Sequence, residues 1–195
     1  MRQIVLASTS PYRRQLLQQL ELPFVTAAPP YIEELDPTVA PELLVRHLAL
    51  GKAQSLAEQY PDALIIGSDQ VFVDQRKRPM GKAGNLQAAF QQLKQMVGQT
   101  HCFYTGLALF DSRNDTLQTD YATFSVTFRS LDDQQIYDYL QRERPFDCAG
   151  SFKIEGLGIA LMEKMAGEDY NALIGLPLIK LVSMLEIAGV DVLAH

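Results

Sequence analysis

The most constraining feature of the sequence is a short apolar run that leads, through three hydroxyl residues, into a helix with two arginines. Residues 4–7 are apolar and typical of a buried strand. Ser10 is a good helix N-cap, and Pro11 suits the first helical position because its φ is preset and it lacks an N–H. Free backbone N–H groups at such a helix start, next to Arg13 and Arg14, favour an anion. The segment therefore predicts a phosphate-binding corner.

A second stretch places a carboxylate inside an apolar run. Residues 63–66 and 71–73 are apolar, and a Gly-Ser-Asp-Gln sequence that contains Asp69 is expected to interrupt the strand between them. Strand interiors disfavour Asp, and a buried carboxylate without a partner is costly. Two interpretations are open: Asp69 caps a turn, or it is a general base or metal ligand on a rigid element. A misfit of this kind favours the functional interpretation.

The order of the predicted elements indicates a mixed α/β protein. Helices alternate with strands in the first half of the chain, and residues 101–110 and 116–129 predict a β-hairpin. The other predicted strands cover residues 1–7, 24–27, 63–73, 147–152 and 158–162, and the predicted helices cover 11–20, 41–59, 86–96, 131–142 and 174–188. We expect a single domain over residues 1–195, with two lobes around a central cleft.

Composition excludes several classes of partner. The formal net charge is −6 at pH 7, so we expect no nucleic acid to bind, because a broad nucleic-acid footprint needs a basic face. A few local cations could still hold a small anion. The two cysteines lack metal-like spacing, which favours free thiols. With no signal peptide and no apolar run of membrane length, the sequence predicts a cytoplasmic protein without a membrane partner.

Other candidate residues are charged side chains whose simplest interpretation is structural. Glu33 and Glu34 lie in a proline-rich loop that would ordinarily be solvated. Either could instead help Asp69 hold a hard divalent cation on phosphate oxygens, and their spacing does not decide between them. Lys52 lies within a predicted helix, where lysine is usually exposed, and Lys82 follows a loop. Both could supply positive charge to a phosphate group.

Two polar stretches in the second half are ambiguous. Residues 147–156 predict either a plain turn or a pocket for a base or sugar, with Phe152 available for stacking and Glu155 as an acceptor for a base N–H. Residues 167–177 predict only a turn followed by the start of a helix.

Five short motifs occur, each once, along nearly the whole chain. They are Leu-Ala-Ser-Thr-Ser-Pro-Tyr-Arg-Arg (6–14), Leu-Ala-Leu-Gly-Lys-Ala (48–53), Ile-Gly-Ser-Asp-Gln (66–70), Phe-Tyr-Thr-Gly (103–106) and Gly-Leu-Pro-Leu (175–178). Together they resemble the Maf family of nucleoside triphosphate pyrophosphatases. The Ser-Asp-Gln variant, with Tyr12 and the sequence Ser-Phe-Lys-Ile-Glu-Gly at 151–156, is similar to the subgroup that acts on 7-methyl-GTP.

The resemblance implies an elongated mixed β-sheet with flanking helices and hydrolysis between the α- and β-phosphates. The products would be 7-methyl-GMP and pyrophosphate, so that modified nucleotides are removed from the pool. It also implies a divalent cation, Mg²⁺ or Mn²⁺, a nucleotide as the small-molecule partner, and often a homodimer. Two alternatives stay open: a pyrophosphatase for dTTP and UTP, and a nucleotide-binding regulator of cell division without important turnover.

The resemblance implies a role for each matching residue. Asp69 matches the proton acceptor, and Asp69 with Glu33 matches the metal ligands. The phosphate- and metal-handling positions correspond to Ser8, Arg13, Glu33, Lys52 and Lys82. The base-selecting positions correspond to Tyr12, Gln70 and Glu155. One departure is that the family usually has Asp-Glu in the loop after the second strand, whereas this chain has Ile32-Glu33 followed by Glu34.

Overall fold

A six-stranded sheet carries the fold in the computed structural model, which describes residues 2–33, 36 and 38–194. The strands are β1 (Gln3–Ala7), β2 (Phe24–Ala27), β3 (Ala63–Val73), β4 (Thr100–Asp111), β5 (Thr116–Phe128) and β6 (Met162–Gly167). The helices are α1 (Pro11–Gln18), α2 (Pro41–Gln54), α3 (Leu86–Met96), α4 (Asp133–Glu143), α5 (Tyr170–Ile174) and α6 (Leu178–Ile187), and a 3₁₀ helix covers Leu157–Leu161.

The sheet is mixed, as the sequence predicts. Its strand order is β2-β1-β3-β4-β5-β6. Strand β1 pairs in parallel with both β2 and β3, so that Ile4 faces Phe24 on one side and Leu64 on the other. Strand β5 pairs antiparallel with β6, and a register shift between Thr127 and Phe128 interrupts the ladder. The predicted mixed α/β class is therefore confirmed.

Several predicted boundaries are wrong. Strand β3 runs without interruption from Ala63 to Val73, because the polar side chains in its middle find partners on neighbouring elements. The predicted strand 147–152 is a series of turns, since Gly150 and Ser151 adopt left-handed φ values of 73° and 57°. The predicted strand 158–162 is mostly 3₁₀ helix.

Two predicted helices also have different limits. The closing helix predicted over 174–188 begins only at Leu178, as α6, because Gly175 has a φ of 123° and Pro177 precedes the helix; Ile174 is the last residue of α5. The helix predicted over 41–59 ends at Gln54, after which the chain continues in turns. Helix α4 begins with a capping box, in which Asp132 accepts from the Gln135 N–H.

The chain divides into two compact units, which agrees with the expectation of two lobes. The first unit comprises Met1–Gln70, Tyr104–Thr123 and Glu168–His195, and the second comprises Val71–Phe103 and Phe124–Gly167. In the first unit, alternate residues of the strands face opposite sides of the sheet. One side packs against α1 and α6 through Ile4, Leu6, Leu17, Leu64, Ile66, Leu181 and Leu185. The other side packs against α2 through Val5, Ala7, Ala49, Ala53 and Ile65.

Helix α2 packs directly on the backbone of β3. A Cβ atom at Gly67 would lie 2.0 Å from the carbonyl oxygen of Ala49, so no residue other than glycine fits at that point without a shift of the helix. Lys52 is three residues further along α2 and therefore lies on the same helix face as Ala49. This close approach brings the Lys52 side chain over β3.

An aromatic cluster forms the core of the second unit. His101 packs between Phe72 and Phe128, with ring centroids 5.7 and 5.8 Å away. His101 is 3% exposed, and neither ring nitrogen has a hydrogen-bond partner within the described ranges. Burial is the main cause that lowers the pKa of His101; the nearby Met96 and Val73 carbonyls and the Asp74 carboxylate oppose it without forming hydrogen bonds of normal geometry.

The buried histidine predicts a loss of stability in acid. Because the pKa of His101 is lower in the folded state than its ordinary value of about 6.5, the unfolded chain takes up the proton first as pH falls. We expect the melting temperature to decrease between pH 7.5 and pH 5.5 and the decrease to be smaller in His101→Phe. His47→Gln on the exposed face of α2 is the control. Equal pH slopes in wild type and His101→Phe would contradict the prediction.

Both cysteines are free thiols, as predicted. Cys102 and Cys148 are half-buried, and burial raises the pKa of each thiol.

Across the part of the chain that the structure covers, no helix has the length and apolar character needed to span a bilayer.

Candidate active site

The first part of the site is the turn between β1 and α1. The Ser10 hydroxyl accepts from the Arg13 N–H at 3.4 Å, which confirms the predicted N-cap, and Pro11 occupies the first helical position. Ser8 is buried, and its hydroxyl accepts from the Ser10 N–H at 3.1 Å. The strand, turn and helix start predicted for a phosphate-binding corner are therefore all present.

Asp69 lies inside β3 and is 7% exposed. Strand side chains alternate between the two faces of a sheet. The Asp69 side chain therefore lies on the same face as Ile65 and α2, whereas Ser68 and Gln70 lie on the opposite face. The Lys52 ammonium donates to Asp69 Oδ1 in a short, buried contact. This position inside an unbroken strand excludes the interpretation of Asp69 as a turn cap.

Lys52 joins two carboxylates. Besides Asp69, its ammonium contacts Glu33 Oε1 at 2.6 Å. Lys52 is only 8% exposed, so the simpler expectation of an exposed lysine is wrong; the close packing of α2 on β3 is the reason. Glu33 is more open, with 44% of its side chain exposed. Glu34, the alternative ligand, lies outside the described residues.

A second glycine positions the loop that carries Glu33. The ring of Tyr31 packs against α2 at Gly51, where a Cβ atom would lie 2.3 Å from the ring. Gly51 is adjacent to Lys52, and Tyr31 is two residues before Glu33. The contact therefore holds the loop where the Glu33 carboxylate reaches the Lys52 ammonium.

Two cations and two carboxylates influence one another in this cluster. Burial, the largest cause, raises the pKa of Asp69; Lys52 and then Arg13 oppose the rise, and Glu33 adds to it. Burial lowers the pKa of the Arg13 guanidinium, and the Asp69 and Glu33 carboxylates oppose that change. A carboxylate with a raised pKa is a stronger proton acceptor. The cluster therefore supplies a base beside two positive charges.

Arg13 is held by one of its three guanidinium nitrogens. Its Nε donates to the Gly175 carbonyl at 2.9 Å. Among the described residues, the two terminal nitrogens have no hydrogen-bond partner. Those nitrogens form a planar fork that suits two phosphate oxygens.

Residues 172–175, hereafter the carbonyl segment, accept hydrogen bonds from further polar side chains. The Ser68 hydroxyl lies 2.9 Å from the Gly175 carbonyl. The Gln70 amide nitrogen lies 2.9 Å from the Ala172 carbonyl and 3.0 Å from the Leu173 carbonyl. Because carbonyls only accept, these contacts fix which end of the Gln70 amide is the nitrogen. Both amide hydrogens are thus committed, and the expected role of Gln70 in base selection would act through the carbonyl segment.

Thr105 completes this set of contacts. Its buried hydroxyl donates to the Ala172 carbonyl at 2.8 Å, and its oxygen lies 2.9 Å from the Gln70 amide nitrogen, whose two hydrogens are shared among three acceptors. The sequence predicts only a turn and a helix start at the carbonyl segment. Backbone carbonyls can be supplied by any residue type, so composition carries no signal for them.

The remaining predicted residues are surface residues. Tyr12 is 37% exposed in the first turn of α1. Lys82 and Glu155 belong to the second unit. Lys82 is exposed and forms an isolated antiparallel bridge with Ala149, and Glu155 is exposed in the turn before the 3₁₀ helix. Their expected roles at the triphosphate and the base stay predictions.

Comparisons with known proteins give a consistent result. A family model described as "Maf-like protein" matches residues 3–188. The chain is 62% identical over 193 residues to the 7-methyl-GTP pyrophosphatase of Syntrophotalea carbinolica, covering 99% of this chain and 98% of that protein. It is 49% identical to the protein of the same name from a Polaromonas species, covering 99% and 88%. The corresponding protein of Colwellia psychrerythraea is 47% identical, with 100% and 97% covered.

Two solved structures share the fold at low sequence identity. The Staphylococcus aureus Ham1 protein aligns with a TM-score of 0.54 and 12% identity, covering 95% of this chain and 99% of that one. A HAM1 protein from Coxiella burnetii aligns with a TM-score of 0.56 and 16% identity, covering 96% and 100%. At these identities the likeness concerns the fold alone.

Proposed function

Because this chain belongs to the family of Maf-like proteins, we propose that it hydrolyses 7-methyl-GTP to 7-methyl-GMP and pyrophosphate. The observation that carries the proposal is the buried Asp69–Lys52 pair, with Glu33 on the same ammonium. Relatives that carry the name 7-methyl-GTP pyrophosphatase and are 47% to 62% identical over nearly the whole chain support this substrate over dTTP and UTP. Such an enzyme would remove modified nucleotides from the pool.

Asp69 acts as the general base. It accepts a proton from a water molecule as the water oxygen attacks the α-phosphorus, and the bond from that phosphorus to the α–β bridging oxygen breaks. The electron pair of that bond leaves with the pyrophosphate. Burial makes the Asp69 carboxylate more basic, while the Lys52 ammonium favours its ionised form. Together they provide a carboxylate that is more basic than an ordinary one and is paired with a cation in its ionised form.

Arg13 and Lys52 balance the charge of the triphosphate. The guanidinium of Arg13 is anchored at Nε, so its two terminal nitrogens are preorganised for phosphate oxygens. An anchored cation stabilises the negative charge that grows on the leaving pyrophosphate without a further ordering cost. We assign Lys82 a similar role and Ser8 a role in shaping the turn before α1.

A divalent cation fits the donor set at this site. Asp69 and Glu33 offer hard carboxylate oxygens on either side of a single ammonium, and Mg²⁺ commonly binds one or two carboxylates together with substrate phosphates. Within the described ranges, no cluster of three or more His, Cys, Asp or Glu side chains is present, so substrate oxygens would complete the coordination. When bound, Mg²⁺ or Mn²⁺ would polarise the phosphate oxygens.

Base selection is assigned to Tyr12 and Glu155. A 7-methylguanine ring carries a positive charge, which an aromatic face attracts, so Tyr12 is suited to stack on it. The Glu155 carboxylate is suited to accept from the N1 and N2 hydrogens of the base.

The two unpaired cysteines support a cytoplasmic location. The homodimer implied by the resemblance stays a prediction.

A panel of triphosphates tests the proposal. We expect pyrophosphate release from 7-methyl-GTP to exceed release from GTP, dTTP and UTP by about tenfold or more in kcat/KM. In Tyr12→Ala and Glu155→Gln, this preference should decrease because the charged base loses a partner. Tyr137→Ala and Glu163→Gln alter exposed residues of the same types and serve as controls.

Other outcomes of the panel identify the alternatives. A preference for dTTP or UTP in the wild-type protein would contradict the proposed substrate. Tight binding of a nucleotide without release of pyrophosphate would instead favour the regulator of cell division.

A further inference from the structure

One buried carboxylate fixes both ends of the carbonyl segment. Asp169 is 6% exposed and precedes α5. Its Oδ1 accepts from the Asn171 N–H at 2.8 Å and from Asn171 Nδ2 at 2.9 Å. Its Oδ2 accepts from the Ile179 N–H at 2.9 Å, in the first turn of α6. Asp169 therefore ties the start of α5 to the start of α6, and the carbonyl segment lies between these two points.

The arrangement requires an acceptor with two oxygens. All three groups that point at Asp169 are N–H donors, and an ionised carboxylate has only acceptors. An asparagine would offer one oxygen, and its NH₂ group would face either the Asn171 donors or the Ile179 N–H. A serine would retain the cap of α5, because a hydroxyl also caps helices well, but it would lose Ile179.

The segment that Asp169 holds carries the only anchor of the Arg13 side chain found among the described residues. The Gly175 carbonyl accepts from Arg13 Nε, and the Arg13 guanidinium is close enough to Asp69 and Glu33 to interact with both charges. If the Gly175 carbonyl moved, the guanidinium would lose its neutral partner. It would then be drawn towards the two carboxylates, since opposite charges attract strongly where water is scarce.

We infer that Asp169 is a positioning residue, which acts through the carbonyl segment to keep Arg13 directed at the triphosphate and away from the base Asp69. The inference rests on the proposed function. It differs from a role in stability alone, because it predicts that the effect of Asp169 depends on the residue at position 13.

A double-mutant cycle tests this dependence. In the Asp69→Asn background, which suppresses turnover, calorimetry gives the Kd for 7-methyl-GTP with and without Asp169→Asn and Arg13→Lys. We expect Asp169→Asn to raise the Kd by about tenfold when Arg13 is present and by less than about twofold in the Arg13→Lys background. Lysine retains the charge but has no Nε to donate to the Gly175 carbonyl.

Controls separate positioning from stability. Asp132→Asn makes the same substitution at the carboxylate cap of α4, where an amide oxygen can still accept from the Gln135 N–H, and should leave the Kd unchanged. If Asp169→Asn does not fold, Asp169→Ser replaces it in the cycle. Equal effects of the Asp169 change in both backgrounds, or an effect no larger than that of Asp132→Asn, would overturn the inference.

The proposed function can fail separately. If the wild-type protein releases no pyrophosphate from any triphosphate, the proposed hydrolysis is wrong, while the binding cycle still reports whether Asp169 acts through Arg13. If the wild-type protein is active and the cycle shows no coupling, only the positioning role is wrong.

Discussion

Replacing Asp69 with asparagine is expected to lower kcat for the hydrolysis of 7-methyl-GTP by about 10²- to 10⁴-fold, the range that a general base contributes. The fold should persist, because the asparagine carbonyl still accepts from the Lys52 ammonium. The amide retains the shape of the carboxylate but cannot take the proton of water. Steady-state pyrophosphate release together with the melting temperature measures both effects.

A second Lys–Asp pair in the first unit provides the matched control. Asp120 accepts from Lys180 Nζ at 2.5 Å, but this pair is partly exposed. Asp120→Asn should leave kcat unchanged. Persistent turnover in Asp69→Asn, at a rate near that of Asp120→Asn, would show that another group accepts the proton.

Replacing Lys52 with methionine is expected to lower the free energy of unfolding more than the removal of any exposed charge does. Methionine has a similar length, but it leaves the Asp69 carboxylate buried without its strongest partner. Breaking a buried pair in this way costs about 3–5 kcal/mol when the remaining charge stays ionised. Asp69 can avoid part of this cost by binding a proton, so the loss should depend on pH.

The direction of that pH dependence follows from the raised pKa of Asp69. Burial already raises its folded-state pKa above the ordinary value of about 3.9, and loss of Lys52 removes the main opposing cause. A buried carboxyl whose pKa is raised in the folded state favours the folded state most when it is protonated. This contribution to the free energy of unfolding is lost as pH rises through the folded-state pKa. Urea denaturation should therefore show a larger deficit for Lys52→Met at pH 8 than at pH 5.

Two further variants complete the test. Lys180→Met removes the partner of Asp120 at the surface and should cost no more than about 1 kcal/mol at either pH. The double change of Lys52→Met with Asp69→Asn should recover part of the stability at pH 8, since position 69 no longer buries a carboxylate without its partner. A deficit in Lys52→Met that is equal at both pH values would contradict the assigned role of Lys52.

The parts of the site that depend on local pattern are predictable from the sequence. Ser10 and Pro11 are a capping signal that needs only neighbouring residues, and the structure contains the helix start they predict. Asp69 was conspicuous because a carboxylate is unfavourable within an apolar strand. In both cases the residue type and its immediate neighbours in sequence carry the signal.

The rest of the site depends on contacts between distant residues. The burial of Lys52 results from the close packing of α2 on Gly67, which no helical periodicity reveals. The uninterrupted course of β3 depends on partners for Ser68 and Gln70 in the carbonyl segment, more than one hundred positions away in sequence. Left-handed backbone at Ser151, a residue type that rarely adopts it, ended a strand that its apolar neighbours predicted.

The two faces of β3 also link the site to the alignment of the strands during folding. Asp69 meets a cation on one side of the sheet, and its neighbour Ser68 meets carbonyls on the other. One inserted residue between Ile65, which pairs with Val5, and Ser68 would exchange these sides. The hydroxyl would then face the Lys52 ammonium, and the carboxylate would face carbonyl oxygens that repel it. A slipped strand is thus penalised by the same charges that perform the chemistry, so that only correctly aligned molecules are both stable and active.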